Sequence, residues 1–185
     1  MKKQILIISG QPGTGKTTLG RHFAEYLDVA FLDKDIVCDF FTFFIMETVY
    51  SQNDNKDSLE YHQKIRPLEY STFSKLMFSQ IECNVSFVAV APFSTEIKKH
   101  SDYFDKIEED ARLKEYDVYF IHLIVDELEL RDRIIKRSKP EDKRKLERWS
   151  EYVNRFSEND LRSNIKTFVN SNIDDTIEDI MNYIN

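Results

Sequence analysis

Glycine, four residues, glycine, lysine and then serine or threonine is a pattern that only one local architecture can use. This chain carries it as Gly10-Gln11-Pro12-Gly13-Thr14-Gly15-Lys16-Thr17. Such a loop cradles phosphates and works only where a strand leads into it and a helix leads out. Both flanks are present. Ile5-Leu6-Ile7-Ile8 is an apolar run of strand length, and Leu19, Phe23, Tyr26 and Leu27 recur at the spacing of one helix face. Glycines at 10, 13 and 15 let the backbone aim successive N–H groups inward, and the helix opening near Gly15 points its positive end at the same place. Lys16 then supplies a cation for β- and γ-phosphates, and the Thr17 hydroxyl suits a magnesium ion. All 4 glycines of the chain lie between Gly10 and Gly20, so backbone freedom is concentrated here.

At 185 residues the chain fits one domain, or one domain with a small mobile insert. With 41% hydrophobic and 32% charged residues it reads as globular with a wet surface. The net charge of −7 argues against a broad nucleic-acid surface, which would draw its binding energy from Lys and Arg meeting phosphates. Cys38 and Cys83 form neither a metal spacing nor a disulfide framework and are expected as reduced thiols. The start, Met1-Lys2-Lys3, mimics a leader, but its apolar run is too short and enters the phosphate loop. No run approaches the roughly 20 apolar residues that span a bilayer. The expectation is a cytoplasmic protein without a membrane partner.

Apolar runs then alternate with helix-spaced segments. Val29 to Leu32 reads as a second strand ending in Asp33-Lys34-Asp35. Acids two apart at a strand's C-terminal end project to one side if the chain stays extended, and in an open α/β sheet that edge binds ligands. One acid would accept a proton from an attacking hydroxyl while the other holds magnesium, directly or through water. The alternative makes Asp35 the N-cap of the next helix and Asp33 a solvated loop acid. Ile36 to Tyr50 carries Phe40, Phe41, Phe43 and Phe44 in too many directions for one stripe. They are expected in core and inter-helix packing, with an aromatic wall beside an acceptor as the alternative. Ser51 to Ser58 is a polar loop, and a long helical region from Leu59 to Glu82 has Pro67 as a kink or a new start. Arg66, just before it, is a candidate for an anionic group on an acceptor, or a surface arginine.

Val85 to Ala91 is a third strand, apolar enough to be buried on both faces. Many phosphate-loop proteins carry an acid near the end of such a strand to support magnesium; this strand has none. Ser94 or Thr95 is expected to cap a helix carrying Ile97, with Phe104, Ile107 and Leu113 inward. Val118 to Val125 is the fourth strand, with His122 as a core or edge residue. In Leu130 to Arg137, Arg133 and Arg137 share a helix face. Ser138-Lys139-Pro140 breaks that helix, and Glu141-Asp142 opens another with Lys143, Arg144, Lys145 and Arg148. On the new helix Leu146, Trp149, Val153 and Phe156 keep core spacing. A basic segment in an acidic protein asks for an anionic partner such as a polyphosphate, or else is a surface helix with ordinary ion pairs. Lys166 to Val169 is a brief fifth strand, and a last helix runs from about Asp174 to Ile184. The alternation implies a parallel sheet with helices on both faces.

With these features in order, the whole chain resembles the small P-loop kinases. These include adenylate, shikimate and gluconate kinases, the kinase part of polynucleotide kinase, chloramphenicol phosphotransferase, and bacterial proteins labelled AAA-family ATPase that look like them. Ala91-Pro92-Phe93 matches the end of their third strand, and Arg144, Trp149 and Tyr152 match a later Arg-rich segment followed by Trp and Tyr. The resemblance implies phosphate binding by Gly13 to Thr18 and magnesium at Thr17. It makes Asp35 the base with Asp33 beside it, lays Arg133 against adenine, turns Arg137 to the triphosphate and puts Arg144 on a lid. Asn170-Ser171 would pass near the base of the nucleotide. Related proteins often carry an acid two residues before the proline, where this chain has Val90, so magnesium support moves to Asp33 or Asp35 or is missing.

The expected fold is a three-layer α/β P-loop NTPase fold, a five-stranded parallel sheet with helices on both faces and a small helical lid. Residues 1–185 are expected as one domain, with 137–148 as lid and about 36–82 as an acceptor-side helical region. The expected activity is ATP-dependent transfer of the γ-phosphoryl group to a small hydroxyl- or phosphate-bearing acceptor. The alternatives are a polynucleotide-end or nucleotide-sugar kinase and an ATP-binding regulatory switch. Lys16, Asp35, Arg137 and Arg144 are the expected catalytic residues. Gly10, Gln11, Pro12, Gly13, Thr14, Gly15, Lys16, Thr17, Thr18, Arg133 and Asn170 are expected to bind nucleotide, and Thr17 and Asp33 to hold magnesium. ATP and magnesium are the expected cofactors, and the oligomeric state is expected to be monomer or homodimer.

Overall fold

Strand β1 (Lys3–Gly10) is buried on both faces because it lies at the centre of a sheet, between β3 (Phe87–Val90) and β4 (Tyr116–Ile124). The fold comes from a computed structural model that describes residues 2–51, 56–138, 142–154 and 160–185. Among these, β2 (Ala30–Asp33) pairs with β3 and β5 (Ile165–Val169) with β4, giving five parallel strands in the order β2-β3-β1-β4-β5. Successive side chains on a strand point to opposite faces, and the two cores follow that rule. Ile5, Ile7, Phe87 and Ala89 meet α3 (Arg66–Glu82) and α4 (Asp105–Leu113) on one face. Leu6, Ile8, Val88 and Val90 meet α1 (Lys16–Leu27) and α8 (Ile173–Ile184) on the other. The three-layer α/β fold and its five-stranded parallel sheet are thus as the sequence predicts.

Gly20 sets how closely α1 approaches the sheet. A Cβ there would lie 2.4 Å from Val90 Cγ2 and 3.0 Å from the Phe31 ring, so any side chain would push the helix and its phosphate loop outward. Between β4 and β5 the chain forms α5 (Glu127–Arg137) and two short helices, α6 (Asp142–Glu147) and α7 (Trp149–Val153). The Lys139-Pro140 break, Glu141 and Phe156 lie outside the described residues. No described helix is long and apolar enough to cross a membrane.

The polar second half of the β3–α4 connection departs from expectation. Residues from Ser94 to Phe104 form turns rather than a capped helix. Ile97, Phe104 and Ile107 are buried as expected, but Leu113 is 68% exposed, because α4 ends there and the chain reverses through Glu115 at φ 60°. Pro67 does open a new helix, α3, immediately after a π-helical turn at Tyr61–Ile65.

The larger correction concerns α2 (Lys34–Thr48). Phe40 is 92% exposed, Phe43 and Phe44 are also exposed, and none of them lines the cleft described below, so neither the core nor the acceptor-wall expectation holds for them. The buried stripe is instead Lys34, Cys38, Thr42 and Met46, four residues apart. Its rotation follows from Glu69 of α3, whose side chain is 0% exposed. Glu69 accepts hydrogen bonds from Lys34 Nζ at 2.9 Å, Thr42 Oγ1 at 2.6 Å and Tyr61 Oη at 2.8 Å. A buried carboxylate is tolerable only when paired and hydrogen-bonded, and three donors meet that demand by turning the aromatic face of α2 outward. Burial alone would lower the Lys34 ammonium, but Asp35 and Glu69 raise it well above the usual lysine range, so it stays charged.

Removing one partner of such a pair strands the other. Glu69→Ala is expected to cost about 3–5 kcal/mol in urea unfolding, and a Lys34→Met/Glu69→Met double variant clearly less than that. A double variant as unstable as the single would show that the network does not set the position of α2.

Candidate active site

The loop after β1 holds itself open from within. The Gln11 carbonyl accepts the Thr14 hydroxyl at 2.9 Å and Lys16 Nζ at 2.8 Å. Gly15, at φ +91°, occupies a region that side chains avoid, and a Cβ on it would lie 2.3 Å from Asn170 Nδ2. That contact exists because Asn170 Nδ2 donates to the Thr14 carbonyl at 2.7 Å, while Thr176 Oγ1 donates to Asn170 Oδ1 at 3.2 Å. Asn170 therefore braces the loop through its side chain. Arg133 Nη2 joins the same brace, donating to the Asn170 carbonyl at 2.7 Å and to Glu129 Oε1 at 2.6 Å.

In front of the loop is a cleft of about 840 Å³. It brings together Pro12, Gly13, Gly15, Lys16, Thr17 and Thr18 with Asp33, Asp35, Arg133, Arg137 and Arg144. Gly10, Gln11, Thr14 and Asn170 do not line it; they shape the loop. Lys16 is only 9% exposed. Burial pulls its ammonium down to about 8, Arg137 pushes the same way, and Asp35 and Asp33 oppose them. Anionic oxygens placed beside it would raise it again.

Asp33 ends β2 in register with Val90, the strand position that lacks an acid. Its Oδ2 accepts the Thr17 hydroxyl at 3.0 Å and its Oδ1 accepts the Asp35 N–H at 2.9 Å, so Asp33 caps α2. This reverses the capping alternative read from sequence: Asp33 is the cap and is buried, while Asp35 is the more open acid, its side chain 55% exposed. Thr17 Oγ1 and Asp33 Oδ2 are hard oxygen donors of the kind magnesium takes. Among the described residues no group of three or more His, Cys, Asp or Glu could hold a metal, so an ion here would complete its shell with phosphate oxygens and water. Burial would raise the Asp35 carboxyl, but Lys34 at 2.9 Å, with Lys56 and Lys16, holds it down to about 2.

The basic segment faces this wall through an acid that sequence reading assigned only to a helix's first turn. Asp142, nearly fully buried, accepts from Arg137 Nε and Nη2 and from Lys145 Nζ at 2.8 Å. Burial alone would raise it, but those two cations hold its carboxyl below the usual range. Tyr152 Oη donates to the Pro12 carbonyl at 3.1 Å and Gln11 Nε2 to the Val153 carbonyl at 3.3 Å, latching α7 to the loop. Tyr152 also packs on Leu130 and Ile134 of α5, with Trp149 and Val153 against them. Asp142 and Glu69 carry no sequence signal of their own, because an acid's burial is decided by its partner.

Beneath the loop, Ser9 Oγ lies 2.9 Å from His122 Nδ1, and the sequence expectation of a core histidine in β4 holds. Burial, and after it the Lys16 charge, lowers His122 to about 4.

A family model described as an AAA domain matches residues 6–161. No curated protein matches the chain. Among solved structures the chain is similar to a sugar kinase from Janibacter sp. HTCC2649, with TM-score 0.66, 16% identity, and coverage of 98% of this chain and 94% of that one. It is similar to a gluconokinase from Sinorhizobium meliloti 1021, with TM-score 0.54, 14% identity and coverage of 96% and 89%. It is also similar to APS kinase from Mycobacterium tuberculosis in complex with AMPPNP and APS, with TM-score 0.52, 13% identity and coverage of 99% and 98%. At these identities the likeness is one of fold, and it matches the resemblance to small P-loop kinases read from the sequence.

His122 supplies a pH test of the packing under the loop. Its folded pKa of about 4 lies below the ordinary 6.5, so the unfolded chain binds the proton more tightly and stability falls as pH drops through that window. His122→Asn is expected to remove about 1–3 kcal/mol of the stability difference between pH 7 and pH 4, read from urea unfolding at each pH. An unchanged pH slope in the variant would mean that the imidazole is not held neutral.

Proposed function

Because the chain belongs to the AAA-domain family, we propose that its cleft is the site of an ATP-dependent phosphotransferase acting on a small hydroxyl-bearing acceptor. The observation that carries this reading is the convergence on one cleft of the phosphate loop, an open carboxylate and the arginines of the basic segment. A loop alone binds a nucleotide; the other two groups are what transfer needs. In this reading Lys16 and the loop N–H groups hold the β- and γ-phosphates, Arg133 lies against adenine, Arg137 faces the triphosphate, and Arg144 belongs to the segment at 137–148, which acts as a lid. Thr17 and Asp33 would hold a magnesium ion, which would supply positive charge to offset that of the phosphates. The Asp33–Val90 register supports that assignment, since Asp33 offers its carboxylate beside the strand position where an acid is missing.

Asp35 orients the acceptor. A carboxylate held near 2 is a weak base, so its work is to accept a hydrogen bond from the attacking hydroxyl and to take the proton late, as the new P–O bond forms and the bond to the β-phosphate oxygen breaks. Phosphoryl transfer through a loose transition state asks little more of a base than this, and most of the acceleration comes from positioning and charge stabilisation. The Tyr152 and Gln11 latches keep the basic segment over the loop and so keep bulk water from the moving group. The stretch at about 36–82 then forms the acceptor side. Val90 favours the competing reading of a regulatory ATP-binding switch, which would bind ATP and show no acceptor-stimulated turnover.

Two variants separate binding from transfer. Lys16→Ala is expected to abolish stabilisation by ATP, which at 100 times the dissociation constant is about 2.7 kcal/mol and reads as a shift of several degrees in melting temperature; an unchanged shift would remove the phosphate-loop assignment. Asp35→Asn is expected to keep that shift while lowering acceptor-stimulated ADP release about 10²–10⁴-fold. Retained transfer would place the proton acceptor elsewhere.

A further inference from the structure

The acceptor side of the cleft holds several cations, and each already has its acid. Lys34 is paired with Glu69 and Asp35, Lys56 with Asp39 at 2.7 Å, and Lys98 with Asp160 at 3.6 Å. Arg66 is the one whose geometry decides the matter. Its Nη1 donates to Glu96 Oε1 at 2.9 Å and its Nη2 to Glu96 Oε2 at 2.8 Å, so the terminal fork of the guanidinium is fully used by a buried carboxylate. Nη2 spends its second hydrogen on Ser94 Oγ at 3.3 Å. A guanidinium recognises carboxylate or phosphate strongly through two parallel N–H bonds on one edge. The end-on edge here is occupied by Glu96, and the side-on edge has lost its Nη2 partner to Ser94, which leaves Nε–H and the outer Nη1 hydrogen as two separate single donors. One planar face is covered as well, because it lies 4.2 Å from the centroid of the Tyr70 ring.

Glu96 has no capacity left to release Arg66. It also accepts from the Thr95 hydroxyl at 2.8 Å and the Thr95 N–H at 3.3 Å. A carboxylate satisfied by four donors, in a buried position, keeps its partner. Arg66 therefore lines the cleft as a neutralised pair, backed by an aromatic ring, and the hydroxyls of Ser94 and Thr95 stand beside it. Single donors and acceptors with little net field suit hydroxyl groups rather than ionised ones.

From this arrangement we infer that the acceptor is an uncharged polyhydroxylated molecule, recognised by single hydrogen bonds, and that Glu96 sets this selectivity by occupying the Arg66 fork. This rests on the phosphotransferase reading and narrows it: the expectation that Arg66 takes an anionic group on the acceptor is replaced by its opposite.

The inference is tested first without turnover. The protein is saturated with AMPPNP and magnesium, so that the phosphate loop is filled, and titrated with inorganic phosphate while its melting temperature is followed. No shift is expected for the wild type up to 10 times the phosphate concentration that shifts Glu96→Gln, in which the fork is released; that is about a tenfold difference in affinity. A wild-type shift that Arg66→Ala abolishes would overturn the inference, and this comparison stands alone if Glu96→Gln does not fold. ADP release is then measured with matched pairs, glucose against glucuronate and ribose against ribose 5-phosphate. An uncharged member that stimulates release at least about tenfold better in kcat/KM than its charged partner, with the gap narrowed in Glu96→Gln, supports the inference. Preference for the charged member overturns it. Absence of stimulation by every compound, with ATP binding intact, counts against the phosphotransferase reading instead, and the phosphate titration still decides the state of Arg66.

Discussion

A carboxylate fully removed from water, Glu69, is the constraint on which the acceptor half of this molecule depends. It needs three donors, and it finds them on two neighbouring segments: Lys34 and Thr42 on α2 and Tyr61 on the turn before α3. Meeting that need fixes the rotation of α2 about its own axis. The same rotation places Lys34 beneath the cleft wall and leaves Asp35, one residue on, at its mouth. It also sends Phe40, Phe43 and Phe44 into solvent, against the ordinary hydrophobic gradient.

A second acid does comparable work at the junction of the two halves. Asp33 joins the first turn of α1, through Thr17, to the first turn of α2, through the Asp35 N–H. One side chain thereby sets the spacing between the phosphate loop and the open carboxylate. Across the cleft Asp142 plays the corresponding part, gathering Arg137 and Lys145 so that the basic segment meets the loop as a unit. The three acids share a logic: each is buried or nearly so, each is satisfied by donors from separate elements, and each positions a neighbour that faces the cleft.

The legibility of the chain follows from the range of the forces involved. Strands and helices were readable where their cause is local. The apolar run of β1, the spacing in α1 and the Pro67 start of α3 all lie within a few residues of their consequences. The stretch from Ser94 to Phe104 misled because its capping residues and apolar positions suit a helix, while Ser94, Thr95 and Glu96 are engaged with Arg66 or with one another. Leu113 misled because helix spacing places it inward only if the helix continues, and α4 ends at it.

By itself the sequence determined that a phosphate loop lies between a strand and a helix and that parallel strands alternate with helices around it. Those features are written in residue types and short spacings, which act through backbone conformation and periodic burial. Only the tertiary structure decided which acid caps α2, which face of that helix is buried, that Asn170 braces the loop, and that Arg66 enters the cleft with its charge already matched. The last three of these turn on hydrogen-bond partners far away in the chain: 35 residues for Lys34 and Glu69, 156 for Asn170 and Thr14, 30 for Arg66 and Glu96. A charged side chain has no periodicity that reveals its partner, so its role is settled only when the fold brings the two together.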